Sequence, residues 1–253
     1  MDSLLDFSSK VVLITGAARG LGKGLAEALA ERGAKLVIGD VDEAGVRDVA
    51  GALTEKGAEV VALGCDVSVN AQCKAMVDAA VETFGQLDIA VNNAGVAHPL
   101  MPLHDIEESL MDSQFNVNVK GVQFGMRHQT KQMLKQQSGV ILNVSSVAGI
   151  TGAAYLSAYG AAKHAVIGLT RAGAAEYARH NIRVNAVCPF FTLTRMVTDM
   201  SDSEEQKSMS RRTPMGRLAQ PEEIVSMMLM LLSPANTFMT GQSIAIDGGV
   251  SAV

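Results

Sequence analysis

The sequence predicts an α/β fold: a doubly wound domain in which a mainly parallel, seven-stranded sheet is covered by helices on both faces. Three observations predict it. Short β-branched runs alternate with longer helical patterns along the chain, as successive strand-helix-strand units require. Most of these runs are apolar almost without interruption, which suits strands buried on both faces. No repeat, low-complexity tract or Pro/Gly/Ser linker divides the 253 residues, so a single domain over residues 1–253 is expected.

Each element follows from its local pattern. The first strand is expected at Val11–Thr15 and leads through a glycine-rich loop into a helix over Leu21–Arg32. Strand Lys35–Asp40, helix Glu43–Lys56, strand Glu59–Cys65 and helix Val69–Phe84 continue the alternation. Gly33, Gly57 and Gly85 each stand just past a helical pattern, where a left-handed terminal residue is wanted. Strand Asp88–Asn92 precedes one long helix over Glu107–Gln136, then strand Gly139–Val144 and helix Ala158–His180. Strand Arg183–Val187 comes next. Residues 190–217 carry polar, Met-rich helical fragments and read as a mobile lid, before helix Pro221–Leu232 and strand Ser243–Ile246.

Composition narrows the function classes. Hydrophobic residues at 48% and charged residues at 19% supply a sizeable core and argue against disorder. The net charge of −5 and pI near 5.5 provide no basic field for a phosphate backbone or an anionic bilayer, so nucleic acid and membrane are excluded as primary partners. The densest apolar run, Met227–Leu232, has six residues and is too short to span a bilayer. The first seven residues carry neither a basic segment nor an apolar stretch of signal-peptide type, and a cytoplasmic location is expected. Cys65, Cys73 and Cys188 form no C-x-x-C pair and read as buried free thiols. The five histidines, His98, His104, His128, His164 and His180, form no ligand cluster, so no metal is expected. Asn143-Val-Ser145 matches the glycosylation pattern but falls at a strand end and is discarded.

The first strand runs into Thr15-Gly16-Ala17-Ala18-Arg19-Gly20-Leu21-Gly22, and a helix opens at once. Glycine there permits a tight turn and lets backbone N–H groups approach a dinucleotide pyrophosphate at the helix N-terminus. The spacing is G-x-x-x-G-x-G, which departs from the general G-x-G-x-x-G fingerprint. Asp40 ends the second strand 24 residues after Gly16, where a carboxylate can accept both adenosine ribose hydroxyls. It points to NAD rather than NADP, because a carboxylate beside a 2′-phosphate costs about 4 kcal/mol per unit-charge pair at 4 Å. Arg19 could pair with such a phosphate and pulls the other way. Asp66-Val67 and Asn92-Asn93-Ala94-Gly95 come after the third and fourth strands, at the carboxyl edge where nucleotides lie in open α/β sheets.

Tyr159 and Lys163 lie one turn apart on one helix face. An ammonium beside a phenol favours the phenolate, so Tyr159 is expected to serve as a base near neutrality. Asn143-Val144-Ser145-Ser146 closes the fifth strand thirteen residues before Tyr159 and brings a hydroxyl to the same sheet edge. Asn118 falls inside the long helix, where a short polar side chain signals a local kink or a bound water.

With these residues in order, the sequence resembles the short-chain dehydrogenase/reductase family over essentially its whole length. Thr15-Gly16-x-x-x-Gly20-x-Gly22, Asn92-Asn93-Ala94-Gly95, Asn118, Ser146 and Tyr159-x-x-x-Lys163 carry the resemblance. It implies a Rossmann-type fold, Tyr159 as acid/base, Ser146 bonded to the substrate oxygen, Lys163 also on the nicotinamide ribose, and Asn118 ordering a relay water. It also implies that Pro189, Thr192 and Thr194 lie beside the nicotinamide. The family's Pro-Gly after the sixth strand is here Pro189-Phe190, so the chain must bend without glycine, and a ring is expected near the substrate.

The expected reaction is reversible hydride transfer between a secondary alcohol and a nicotinamide coenzyme, on a small-to-medium apolar alcohol or ketone. Met196, Met200, Met209 and Met215 in the lid suit an irregular apolar ligand. Two alternatives stand beside it. One is a 3-oxoacyl-thioester reductase, for which Arg127, Lys131 and Lys135 would offer a carrier-protein docking stripe. The other is a dinucleotide-binding scaffold or sensor without turnover, which would have no use for an acid/base. The resemblance implies a homotetramer, and small residues such as Ala158, Ala161, Ala162 and Ala165 would let helices approach closely.

Overall fold

The computed structural model describes residues 3–200 and 203–252. Seven strands form one sheet: β1 (Val11–Thr15), β2 (Lys35–Asp40), β3 (Val60–Gly64), β4 (Ile89–Asn92), β5 (Gly139–Val144), β6 (Ile182–Pro189) and β7 (Ser243–Ile246). Their order is β3-β2-β1-β4-β5-β6-β7, and every pairing is parallel. The chain leaves β1 in one direction and returns to β4 on its other side. The crevice at this switch point, beyond the carboxyl ends of β1 and β4, is where an open sheet of this type binds ligands.

Nine α-helices are described: α1 (Gly20–Ala30), α2 (Glu43–Glu55), α3 (Asn70–Phe84), α4 (Glu108–Phe115), α5 (Gly121–Gln136), α6 (Ser157–Tyr177), α7 (Arg195–Met200), α8 (Ser203–Arg211) and α9 (Pro221–Leu232). Val12 and Ile14 of β1 face a core built with Leu25 and Leu29 of α1, Val49 of α2 and Met228 of α9. Val11 and Leu13 face the opposite core, with Met76 of α3, Met126 of α5 and Val166 of α6. The period of two is therefore present, but both faces are apolar, which is why the run shows no polar alternation. Among the described residues no helix is long and apolar enough to cross a membrane.

The expected elements are found with shifts of one to three residues at their ends, and one larger difference. The expected helix over residues 107–136 is divided into α4 and α5 by a π-helical stretch, Asn116–Lys120, in which the Gly121 N–H reaches back five residues to the Asn116 carbonyl. A wider turn accommodates one extra residue and rotates α5 relative to α4. Asn118 stands in the middle of it.

Candidate active site

A cleft of about 900 Å³ opens along the carboxyl edge of the sheet. Gly16, Arg19, Gly20, Leu21, Asp40, Asp66, Val67, Asn93, Ala94 and Gly95 line it, and so do Ser146, Tyr159, Lys163, Pro189, Thr192 and Thr194. Gly22, Asn92 and Asn118 do not line it; each works from behind.

The glycine loop leaves no room for side chains. Gly16 has φ +68°, and a Cβ there would lie 2.8 Å from the Ala94 Cα, while a Cβ on Gly22 would lie 2.1 Å from the Gly16 carbonyl oxygen. Both distances are below what real carbons tolerate, so the loop is tied closely to β4 on one side and to the start of α1 on the other. Asn93 makes the tie: its Nδ2 donates to the carbonyls of Thr15 and Gly16, each at 2.9 Å. Thr15 Oγ1 accepts the N–H groups of Asn93 and Ala94 at 3.1 Å. The motif is thus a preformed cradle, and α1 opens at its rim without a side-chain cap of its own. That leaves α1's first amides for an anion.

Asp40 is buried, and both carboxylate oxygens are fixed by main-chain donors at 3.0 Å, Oδ2 by Ala18 and Oδ1 by Asp42. A carboxylate held this way is oriented to accept further hydroxyl donors. Arg19 is exposed at the mouth of the same loop. Asp66 Oδ1 accepts from the Ser68 N–H and hydroxyl at 2.9 and 2.7 Å, which shapes the turn after β3. These residues fit an adenine dinucleotide: a glycine cradle for the pyrophosphate and a braced carboxylate for the ribose.

Asn92 is corrected. Its Nδ2 donates to Gln129 at 3.1 Å and Asn143 at 2.8 Å, and Asn143 in turn donates to Thr170 at 2.9 Å. This buried network joins α5, β4, β5 and α6 beneath the cleft, and nothing in the sequence pattern distinguishes Asn92 from its cleft-facing neighbour. Asn118 likewise stands behind the cleft wall. It is fully buried; its Oδ1 accepts the Val96 N–H at 3.0 Å, and its Nδ2 donates to the Val96 carbonyl at 2.8 Å and Gln114 at 3.0 Å. The side chain clamps the loop after β4.

At the other end of the cleft two adjacent serines differ in their bonds. Both serines border the cleft; Ser145 is buried and its hydroxyl donates to the Lys163 carbonyl at 2.9 Å, whereas Ser146 is half-buried and accepts the Ala148 N–H at 3.1 Å. Lys163 is buried; its Nζ donates to the Val144 carbonyl at 2.9 Å and lies 5.5 Å from the centre of the Tyr159 ring. Burial lowers the ammonium from its usual 10.5 to about 8.

The expected effect on the phenol is reversed in direction. The surrounding protein pushes Tyr159 above its ordinary value, hydrogen bonding with Ser146 counters this, and Cys188 adds to the rise. The sequence shows an adjacent cation but not the enclosure, and burial is the largest cause of the rise.

The Lys163 shift carries a stability prediction. The folded state releases this proton near pH 8 and the unfolded chain near 10.5, so between those values the unfolded state binds more protons and folding stability gains with pH. Thermal unfolding at several pH values should show the wild type gaining on Lys163→Met across that window. A constant difference would count against a buried, titrating Lys163.

The lid region begins beside the chemistry. Phe190 stands where the family has glycine, yet it is not among the positive-φ residues, and its N–H bonds the Ile246 carbonyl at 3.1 Å. The chain turns without left-handed strain because β6 continues through Pro189, paired with Ile246. Phe190 and Phe191 pack edge to face at 4.6 Å between centroids, and both line the cleft, so the expected ring is a pair. Of the lid methionines, Met209 is buried and lines the cleft, Met215 is 64% exposed, and the side chains of Met196 and Met200 lie outside the described residues. Leu100, Val147 and Leu156 extend the apolar lining and were not singled out from sequence, where they read as ordinary loop and cap residues.

Comparison with known proteins agrees with this geometry. The family model described as Enoyl-(Acyl carrier protein) reductase matches residues 16–251. The cis-4-hydroxycyclohexanecarboxylate dehydrogenase of Sinomonas cyclohexanicum is 41% identical over 247 residues, covering 98% of each chain. The crystal structure of levodione reductase superposes with a TM-score of 0.94 at 36% identity, covering 98% of this chain and 99% of that one. A 3-ketoacyl-(acyl-carrier-protein) reductase from Brucella melitensis, complexed with NADH, superposes at 0.90 with 35% identity, covering 97% and 99%. Aligned over nearly its full length with these enzymes, the chain belongs to the short-chain dehydrogenase/reductase family of oxidoreductases.

Proposed function

We propose that the protein interconverts a secondary alcohol and its ketone, using NAD(H), on a small-to-medium apolar substrate of cyclic type. The observation that carries this is that Tyr159, Ser146 and Lys163 line one end of the same cleft whose other end holds the glycine cradle and Asp40. When bound, the coenzyme supplies the hydride acceptor or donor. Lys163 and Asp40 would hold its two riboses, and Pro189, Thr192 and Thr194 would border its nicotinamide end. In oxidation Tyr159 takes the hydroxyl proton, while Ser146 donates to the same oxygen; in reduction the Tyr159 phenol returns the proton. Phe190, Phe191, Leu100 and Met209 exclude water and supply an apolar wall that favours a ring over a polar chain.

NADH consumption against cyclic ketones, aryl ketones, steroids and 3-oxoacyl thioesters tests the reading. Cyclic ketones should lead, and Ser146→Ala should lower kcat on them by about 10²-fold. Preference for the thioester would favour the acyl-carrier reductase, for which Arg127, Lys131 and Lys135 form an exposed stripe on α5. Tight NADH binding with no oxidation across the panel would favour a non-catalytic sensor. We further propose a homotetramer, supported by the family relation, and a reducing, cytoplasmic setting, supported by three free buried thiols.

A further inference from the structure

Helix α6 carries Tyr159 in its first turn, where backbone N–H groups have no partner within the helix. The residue before α6 is Leu156, whose side chain cannot cap it. The acceptor comes instead from a distant loop: the Tyr159 N–H donates to Nε2 of His98 at 3.4 Å. His98 is 1% exposed, and its Nδ1 lies 2.7 Å from the Pro99 carbonyl oxygen. A carbonyl only accepts and an amide only donates, so the two partners fix a neutral ring with the proton on Nδ1.

The loop that bears His98 is itself held at both ends. Val96 is clamped through its N–H and its carbonyl by Asn118, and the Met101 N–H donates to the Tyr155 carbonyl at 3.0 Å. Tyr155 has φ +65°, a conformation a bulky residue keeps only where its surroundings enforce it. Residues 96–101 thus form a strap from the π-helical turn to the start of α6, with His98 as its buried middle contact.

We propose that His98 is a positioning residue: its Nε2 caps α6 at Tyr159 and sets where the phenol stands relative to Ser146 and Lys163. This rests on Tyr159 being the acid/base. Two near-isosteres separate the roles of the two nitrogens. His98→Gln can place an acceptor where Nε2 is, whereas His98→Asn can keep a donor to the Pro99 carbonyl and leaves the Tyr159 amide without its partner.

Steady-state kinetics on a cyclic alcohol, with NADH affinity from fluorescence titration, give the test. His98→Gln should keep kcat within about threefold. His98→Asn should lose about tenfold or more in kcat, since small misplacements of a catalytic group cost on that order, with KM and NADH affinity within about twofold. A folded His98→Asn with wild-type kcat, or a folded His98→Gln as impaired as Asn, overturns the proposal. Should His98→Asn not fold, the ¹⁵N spectrum of the wild-type imidazole decides: a proton on Nδ1 supports the cap and a proton on Nε2 removes it. Tyr159→Phe, assayed in parallel, separates the two readings. Full turnover there removes both, whereas an inactive Tyr159→Phe beside a fully active His98→Asn removes only this one.

Discussion

Tyr159→Phe should lower kcat for alcohol oxidation by about 10³-fold, within the range positioned proton transfer contributes, while leaving NADH affinity within about threefold. The substitution removes one oxygen and keeps the ring, so α6 retains its packing. The phenol's only assigned task is the proton. Because enclosure raises Tyr159 above its ordinary value, the wild-type oxidation rate should climb toward alkaline pH as the phenolate forms, helped by the positive charge of the oxidised coenzyme. That limb should vanish in Tyr159→Phe. A variant with near wild-type turnover and an unchanged pH profile would assign the proton to another group.

NAD should be preferred over NADP by about 10² to 10³ in kcat/KM. A carboxylate about 4 Å from one unit of 2′-phosphate charge costs about 4 kcal/mol at an effective dielectric near 20, or nearly three powers of ten. Asp40 cannot swing away to relieve this, because Ala18 and Asp42 hold both of its oxygens. Arg19, exposed at the loop, recovers part of the loss and sets the lower end of the range. Asp40→Ser should narrow the preference to within about tenfold, with some loss of stability because the two main-chain donors lose their acceptor. Comparable constants for the two coenzymes in the wild type would show that Asp40 does not face the ribose.

Much of this fold is legible because its inner strands are buried on both faces and helices such as α3 end at a glycine, here Gly85, a left-handed C-cap. The π-helical turn was not legible: periodicity over residues 107–136 cannot register one extra residue, and only the kink at Asn118 was foreseen. At the site, residues whose chemistry faces the cleft were readable from spacing, as with Gly16, Asp40, Ser146, Tyr159 and Lys163. Residues that act by holding others were not. Asn92 reads like its neighbour Asn93, and only the partners Gln129 and Asn143, far along the chain, show that it faces the core. His98 gives no signal at all, because its partner at Tyr159 is 61 residues away. The direction of the Tyr159 shift was missed for a related reason: burial is a sum over many elements, whereas a charged neighbour one turn away is visible in a four-residue motif.

A crystal structure with NAD and an unreactive cyclic alcohol analogue most directly tests whether Tyr159 handles the proton at the redox carbon. The account predicts the Tyr159 and Ser146 hydroxyls both within about 2.6–3.2 Å of the analogue's oxygen, with the nicotinamide against the same carbon. A phenol directed away from that oxygen, or an analogue bound outside the wall formed by Phe190 and Phe191, would contradict it.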